Sequence, residues 1–284
     1  MVVTAREFEA VRPRLIATAF RLLGSIHDAE DAVQNTWIKA SATDTDSLRN
    51  PAAWLTTVLT RVCLDQLRTV HRRREEPVPA DLLPAQSVAA DERYLQREDI
   101  SRALMVVLNA LTPDQRVAYV LHDLFEIPFR DIAGLLDTSP DNAKKHASRA
   151  RTRIRQTEIR PAATTVDSAV VDAFVAASAG GDIRRMLDLM TDDCVRVADT
   201  TLIPRGTPAV ITGSRTVAEE TALFAERIRA STPMLVNGHP VYVIAPGGHL
   251  LADINITTRK RRVAQIEITR RPVRAESIRP STTP

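Results

Sequence analysis

The sequence predicts a multi-domain protein: two all-α domains followed by an α+β domain. Three observations carry this. Apolar residues recur at helical spacing through residues 5–70 and again from about 91 to 159. After residue 166 the spacing changes, and several later runs alternate apolar and polar residues as strands do. Proline-bearing stretches, 75–91 and the segment around Pro161, separate the parts. A chain of 284 residues has room for two domains or more, and a hydrophobic fraction of 44% supports real cores.

In the first part, Phe8, Val11, Leu15, Ile16, Ala19, Leu22 and Leu23 mark a helix that Gly24-Ser25 ends. Asp28 to Ala40 forms a second, and Asn50-Pro51 opens a third that runs to about His71. In that third helix Leu55, Val58, Leu59 and Val62 share a core-facing side. Thr57, Arg61, Leu64 and Arg68 fall together opposite, leading into Arg72-Arg73-Arg74, and Leu64 on this polar face has no explanation in the sequence. Single-stranded nucleic acid is bound by cations combined with stacking or capture of unstacked bases. Trp54, near the helix start, either caps such a base pocket or packs in the core.

Residues 129–155 carry the most specific local pattern. Phe129 to Leu136 is a short helix with Phe129, Ile132, Ala133 and Leu136 on one face, and Asp137-Thr138 makes a turn. Ser139 then suits an N-cap, Pro140 the first helical position, and Asp141 the positive helix end. In the second helix Ala143, Ala147, Ala150 and Ile154 form a narrow buried stripe. Asp141, Lys145, Ser148, Arg149 and Thr152 lie opposite, flanked by Asn142 and Lys144. This is a helix-turn-helix whose exposed face of Lys, Arg, Ser and Asn suits a major groove. His146 sits beside the stripe, where packing and DNA contact are both open. The net charge of +3 is small, but Lys144, Lys145, Arg149, Arg151, Arg153 and Arg155 cluster against the single acid Asp141, which favours a polyanionic partner.

Beyond Pro161 the reading gives helices at about 167–179 and 182–190, strand-like runs at Cys194–Asp199, Met234–Ala245, Leu250–Thr257 and Val263–Thr269, and a helix near 216–230. Together these make an α+β domain with a curved antiparallel sheet. Arg259 to Arg262 would turn between the last two strands. The composition excludes a transmembrane helix, since there is no apolar run of about 18 residues. The N-terminus lacks an apolar signal-peptide core, so the expected location is the cytoplasm. The two cysteines, Cys63 and Cys194, have no zinc-ligand spacing and read as buried small hydrophobes; no metal or cofactor is expected.

The order of these elements resembles a known family. Asp28-Ala-Glu-Asp-Ala-Val-Gln-Asn-Thr-Trp-Ile-Lys-Ala40 resembles the polymerase-binding segment of sigma domain 2, and Pro51 to Arg68 the adjoining segment that opens the −10 element. Leu111 to Asp123 and the helix-turn-helix resemble sigma domain 4. There is no sigma domain 3 and no long N-terminal extension, which points to the extracytoplasmic-function group. Residues 166–271 resemble the cone-shaped SnoaL-like domain fused to one subgroup, through Ala-Ala-Ser-Ala-Gly-Gly-Asp-Ile183, Leu189 to Val195 and Val236-Asn-Gly-His-Pro240. That subgroup's Trp-Leu-Pro-Glu-Pro linker motif is absent. Its Asp-Gly-Gly-Gly-Arg motif is replaced by Asp199 to Arg205, and its terminal Asn-Pro-Asp-Lys-Leu motif is replaced near Arg270.

The resemblance implies a sigma factor, not an enzyme, whose partners are core RNA polymerase (β′ clamp helices and β flap) and promoter DNA. Domain 2 would span 1–74, a linker 75–91, domain 4 92–159, a second linker 160–166, and a SnoaL-like regulatory domain 167–284 with a flexible tail after about 272. Asp28, Asp31, Gln34 and Trp37 would dock on the polymerase, with Trp37 alternatively in the core. Arg61, Asp65, Gln66 and Arg68 would meet the −10 element; many relatives carry Asn at the position of Arg61. Asn142, Lys144, Lys145, Ser148 and Arg149 would meet the −35 element. The C-terminal domain would modulate activity through intramolecular contacts. A different reading makes it a small-molecule enzyme or sensor, for which Asp199, His239, His249 and Asp253 are the polar candidates. A conventional helix-turn-helix repressor is the third reading, but it has no use for a polymerase-docking segment.

Overall fold

A computed structural model describes residues 3–42, 50–73, 85–156, 166–204, 206–236 and 239–270. Of the expected linkers 75–91 and 160–166, residues 75–84 and 160–165 lie outside the described residues, as does the expected tail after about 272. The chain forms two compact units, one of residues 1–155 with Gly247–His249, the other of 156–246 and 250–284.

The first unit is helical, and its helix ends follow from local chemistry. Helix α1 (Ala5–Leu23) begins with a reciprocal cap: the Glu7 N–H donates to Thr4 Oγ1 at 3.2 Å, and the Thr4 N–H donates to the Glu7 carboxylate at 2.8 Å. It ends at Gly24, whose φ of 85° is open to glycine and whose N–H closes on Phe20 O. Helix α2 (Ile26–Ser41) is capped by Ser25, and α3 (Pro51–Arg73) by Asn50, whose side chain accepts from the Ala53 N–H at 3.0 Å. Helix α4 (Ala85–Arg97) starts earlier than expected: residues 85–91, read as the end of a linker whose prolines all precede them, are helical. Asp91 explains this in part, because it is only 2% exposed and accepts from the Ile26 N–H at 2.6 Å, tying α4 to the start of α2.

Helices α5 (Arg102–Asn109) and α6 (Pro113–Tyr119) follow; α6 runs on into a π-helical turn at Val120–Leu124. Then come α7 (Phe129–Leu135) and α8 (Pro140–Gln156). One core cluster runs through the whole unit, from Phe8 and Leu15 through Leu59 and Leu108 to Ala147. Helix α3 packs on α1 and α2 by one side and on α6 and α7 by the other. This accounts for Leu64, which is 2% exposed within the common core although its neighbours on the helix wheel are polar. Among the described residues no helix is long and apolar enough to cross a membrane.

The second unit places α9 (Val166–Gly180) and α10 (Ile183–Leu189) with a six-stranded sheet ordered β2-β1-β6-β5-β4-β3. The strands are β1 (Met190–Ala198), β2 (Val210–Thr212), β3 (Ser231–Val236), β4 (His239–Ile244), β5 (Ala252–Arg259) and β6 (Arg262–Thr269), with α11 (Ser214–Leu223) and α12 (Ala225–Arg229) between β2 and β3. Three expectations need correction. The sheet is mixed, because β1 pairs parallel with β6; the long helical crossover from β2 to β3 lets the chain re-enter in that direction. The run Met234–Ala245 is a hairpin of two strands, not one. The helix near 216–230 is two, broken at Phe224.

The alternation in the last two strands is realised as cross-strand pairs, Ile254 with Ile268 and Ile256 with Ile266. Lys260 and Arg261 both take positive φ, 52° and 61°, in the two-residue turn between them.

Close packing in α8 gives a first prediction. Ala143, Ala147 and Ala150 are each 0% exposed, so Ala147→Leu forces methylenes into a filled interior. It should cost about 1–3 kcal/mol, read as a lower urea midpoint. An unchanged midpoint would mean the stripe is loosely packed.

Candidate nucleic-acid interface

Helices α7 and α8 build the helix-turn-helix. Asp137 takes φ 51° at the turn, and the Thr138 N–H returns to Ala133 O at 3.0 Å, closing α7. Ser139 Oγ accepts from the Asn142 N–H at 3.2 Å and starts α8. Because the alanine stripe is buried, the opposite face must be open: Asn142, Lys144, Lys145, Ser148 and Arg149 are all exposed. The structure also sorts the basic cluster. Arg151 is bidentate to Asp123, at 2.6 and 3.2 Å, and Arg153 donates to Ala110 O at 3.3 Å. Both arginines flank the buried stripe and brace the unit. Lys144, Lys145 and Arg149 form no ion pair among the described residues, so their charges face solvent. His146 is half-buried beside the stripe, which favours packing over DNA contact.

Helix α2 exposes Asp28, Asp31 and Gln34 along one face. Trp37 instead packs half-buried with its ring 4.8 Å from that of Phe8, at the edge of the core. The same exposed face carries Ile38, 55% exposed, which sequence reasoning missed. It lies one turn beyond Gln34 towards the end of α2, and only the structure shows that it is uncovered.

On α3, Arg61 and Asp65 are exposed and Arg68 is half-buried, and the three share a face. Gln66 sits roughly 140° around the helix from Arg61 and does not join them. Trp54 packs against the core and also lines an open groove with Lys39, Ala42, Val58 and Arg61. A groove lined by an aromatic ring and two cations is suited to an unstacked base and its phosphate. The side chains of Arg72, Arg73 and Arg74 lie outside the described residues.

Arg68 is not free in this arrangement. It donates to Asp114 Oδ1 of α6 at 3.2 Å. Nearby, Arg116, 3% exposed, donates to Arg21 O at 2.8 Å and to Asn109 Oδ1 at 2.7 Å, and Arg14 reaches Phe125 O at 3.3 Å. Sequence spacing could not disclose the Arg68–Asp114, Arg116–Arg21 and Arg14–Phe125 pairings, which join positions 46, 95 and 111 residues apart. The Cys63 and Cys194 thiols are buried, and burial pushes them up to about 12 and about 11, so neither supplies a thiolate.

Among the described side chains, the polar candidates of the C-terminal region are not brought together in one group. Asp199 accepts from the Thr201 N–H and hydroxyl at 2.9 and 2.8 Å, which holds its carboxyl below the usual range. His249 belongs to the helical unit, its Nε2 3.0 Å from Asp91 Oδ2. The His239 side chain lies outside the described residues. Asp199, His249 and Asp253 do not line the cavity of the second unit.

Residues 8–74 match the family model for sigma-70 region 2, and residues 101–154 that for sigma-70 region 4. The ECF RNA polymerase sigma factor SigJ of Mycobacterium tuberculosis is 41% identical over 207 residues, covering 68% of this chain and 64% of the relative. A probable ECF sigma factor of the same species, SigI, is 29% identical over 189 residues, covering 64% and 65%. The matches thus span just under two thirds of these relatives' lengths. The crystal structure of the M. tuberculosis SigJ superposes with a TM-score of 0.46 at 31% identity, covering 95% of this chain and 97% of that one.

Proposed function

The chain belongs to the extracytoplasmic-function RNA polymerase sigma factors, a family of transcription factors rather than enzymes, and on that premise we propose that it binds core RNA polymerase and directs initiation at a specific set of promoters. The observation that carries this is the cation-rich face of α8, held outward by a fully buried alanine stripe and set in the same unit as the exposed faces of α2 and α3. Domain 2 is assigned to residues 1–74 and domain 4 to 92–159, with the SnoaL-like part from 167. Asp28, Asp31 and Gln34 dock on the β′ clamp helices, Trp37 supports them from the core edge, and domain 4 meets the β flap. Arg61, Asp65 and Arg68 meet the −10 element with Trp54 beside them, and Gln66 contributes from an adjacent face. Asn142, Lys144, Lys145, Ser148 and Arg149 meet the −35 element. The site of action is the cytoplasm, where polymerase works.

Run-off transcription with bacterial core polymerase on the factor's own upstream region tests this. A promoter-specific transcript is expected from the full chain. Failure to bind core polymerase at all would refute the assignment.

The C-terminal chain is proposed to modulate this activity. Three of its residues are built into the helical unit: the Gly247 N–H donates to Glu92 at 3.0 Å, Asn109 Nδ2 donates to Gly248 O at 3.1 Å, and His249 meets Asp91. A Cβ on Gly248 would lie 2.5 Å from Met105 Cβ, and φ there is 85°, so Gly248→Ala should expel the segment without touching a proposed DNA or polymerase contact. If the segment restrains the helical unit, the variant should give several-fold more run-off transcript. An unchanged yield would remove the regulatory role.

A further inference from the structure

The second unit encloses a cavity of about 70 Å³ between α9, α11, α12 and the sheet. Folded interiors leave few voids larger than a water molecule, and this one has room for on the order of five. Its wall is mainly aliphatic and aromatic, with Phe174, Ile244, Ile254, Ile256, Ile266 and Ile268 contributing.

Its few polar groups are unequal. Arg196, 2% exposed, is consumed by the protein: Nε donates to Glu220 Oε2 at 2.8 Å, Nη2 donates to the other Glu220 oxygen, and Nη1 donates to Pro208 O at 3.1 Å and Ala209 O at 2.9 Å. The pair makes a polar but neutral patch. Ser178 is likewise occupied, its hydroxyl donating to Phe174 O at 2.8 Å. Arg227 differs. It is exposed, it lines the cavity, one Nη donates to Leu202 O at 3.1 Å, and its guanidinium lies 5.7 Å from the centre of the Phe224 ring. No carboxylate pairs with it among the described residues. The charged lining residues, Arg196, Glu220 and Arg227, therefore sum to one positive charge, and that charge is at the solvent edge.

An apolar interior with a single positioned cation at its rim is the pattern of a ligand site. We propose that the second unit binds a small apolar monocarboxylic acid, tail in the isoleucine-lined cavity and carboxylate on the Arg227 guanidinium, which offers it charge-assisted hydrogen bonds. The assignment is to binding alone, since the Glu220 carboxylate and the Ser178 hydroxyl are already engaged. This assignment concerns the C-terminal unit alone and does not rest on the promoter-recognition reading. The tail is either a short alkyl chain or a single aromatic ring, and the probes separate these.

Full-length protein would be titrated calorimetrically with octanoate and 1-octanol, and with 3-phenylpropanoate and 3-phenyl-1-propanol, all below micellar concentrations. At least one acid should bind about tenfold more tightly than its alcohol. Arg227→Ala, at an exposed position, should erase that preference, and Ala252→Phe, which fills the cavity, should abolish binding while thermal melting confirms its fold. If Ala252→Phe is unfolded, Ile268→Trp at the half-buried edge replaces it. Binding of neither acid, equal affinity for acid and alcohol, a preference that survives Arg227→Ala, or binding that survives cavity filling would each overturn the assignment.

Discussion

Ile38→Asp should cut the affinity for core RNA polymerase by roughly 30- to 1,000-fold, equivalent to about 2–4 kcal/mol, while leaving the melting temperature of the free protein unchanged. Ile38 is 55% exposed on α2, on the face that carries Asp28, Asp31 and Gln34. Burying an isoleucine at an interface contributes about 1.5–3 kcal/mol. Replacing it with aspartate removes that contribution and adds a carboxylate that must be desolvated in the complex. Because the side chain already faces water, the free protein loses little. Anisotropy titration of labelled protein with core polymerase would measure the effect, and Asp31→Lys alongside it should weaken binding less and change its salt dependence more. An Ile38→Asp affinity within threefold of the parent would show that this face of α2 is not the docking surface.

That face illustrates what the sequence could and could not disclose. Helix identity, the Thr4 and Ser139 caps and the alanine stripe of α8 are local properties, set by spacing and by side chains three or four residues apart, so they are legible in one dimension. The exposure of Ile38 is not local: it depends on what fails to cover it. The Asp114 carboxylate 3.2 Å from Arg68 is likewise out of reach of the sequence, 46 residues away. Leu64 looked misplaced because the wheel of α3 shows faces but not the second partner, α6, that buries one of them. The parallel pairing of β1 with β6 is hidden for a related reason, since strand alternation says which residues face inward but not which way a neighbour runs. The hairpin in 234–245 had a cue in the dipeptide Asn237-Gly238, a strong turn signal between apolar runs. Arg196 and Glu220, 24 residues apart, gave no cue at all.

Within α8 the geometry separates a residue that specifies from one that only attracts. Arg149 lies opposite the buried stripe with Lys145 and Ser148, so it is aimed at base edges when the stripe faces the domain core, whereas Lys144 lies on the flank, where a phosphate backbone would run. Arg149→Ala should therefore cost about 1–3 kcal/mol on the cognate −35 element, roughly 5- to 150-fold in affinity of the holoenzyme. On a −35 element already mutated at the contacted base pair it should cost much less. Lys144→Ala should weaken both DNAs alike and reduce the slope of log affinity against log salt by about 1. Filter-binding or anisotropy titrations of the holoenzyme across a range of salt concentrations, with both variants on both DNAs, would read the two signatures side by side. Arg151→Ala provides a contrast, because its guanidinium is committed to Asp123 at 2.6 Å. It should lower thermal stability and leave the salt slope unchanged. If Arg149→Ala weakens cognate and mutated DNA equally, the arginine is a phosphate contact, and base reading at the −35 element falls to Lys145 and Ser148.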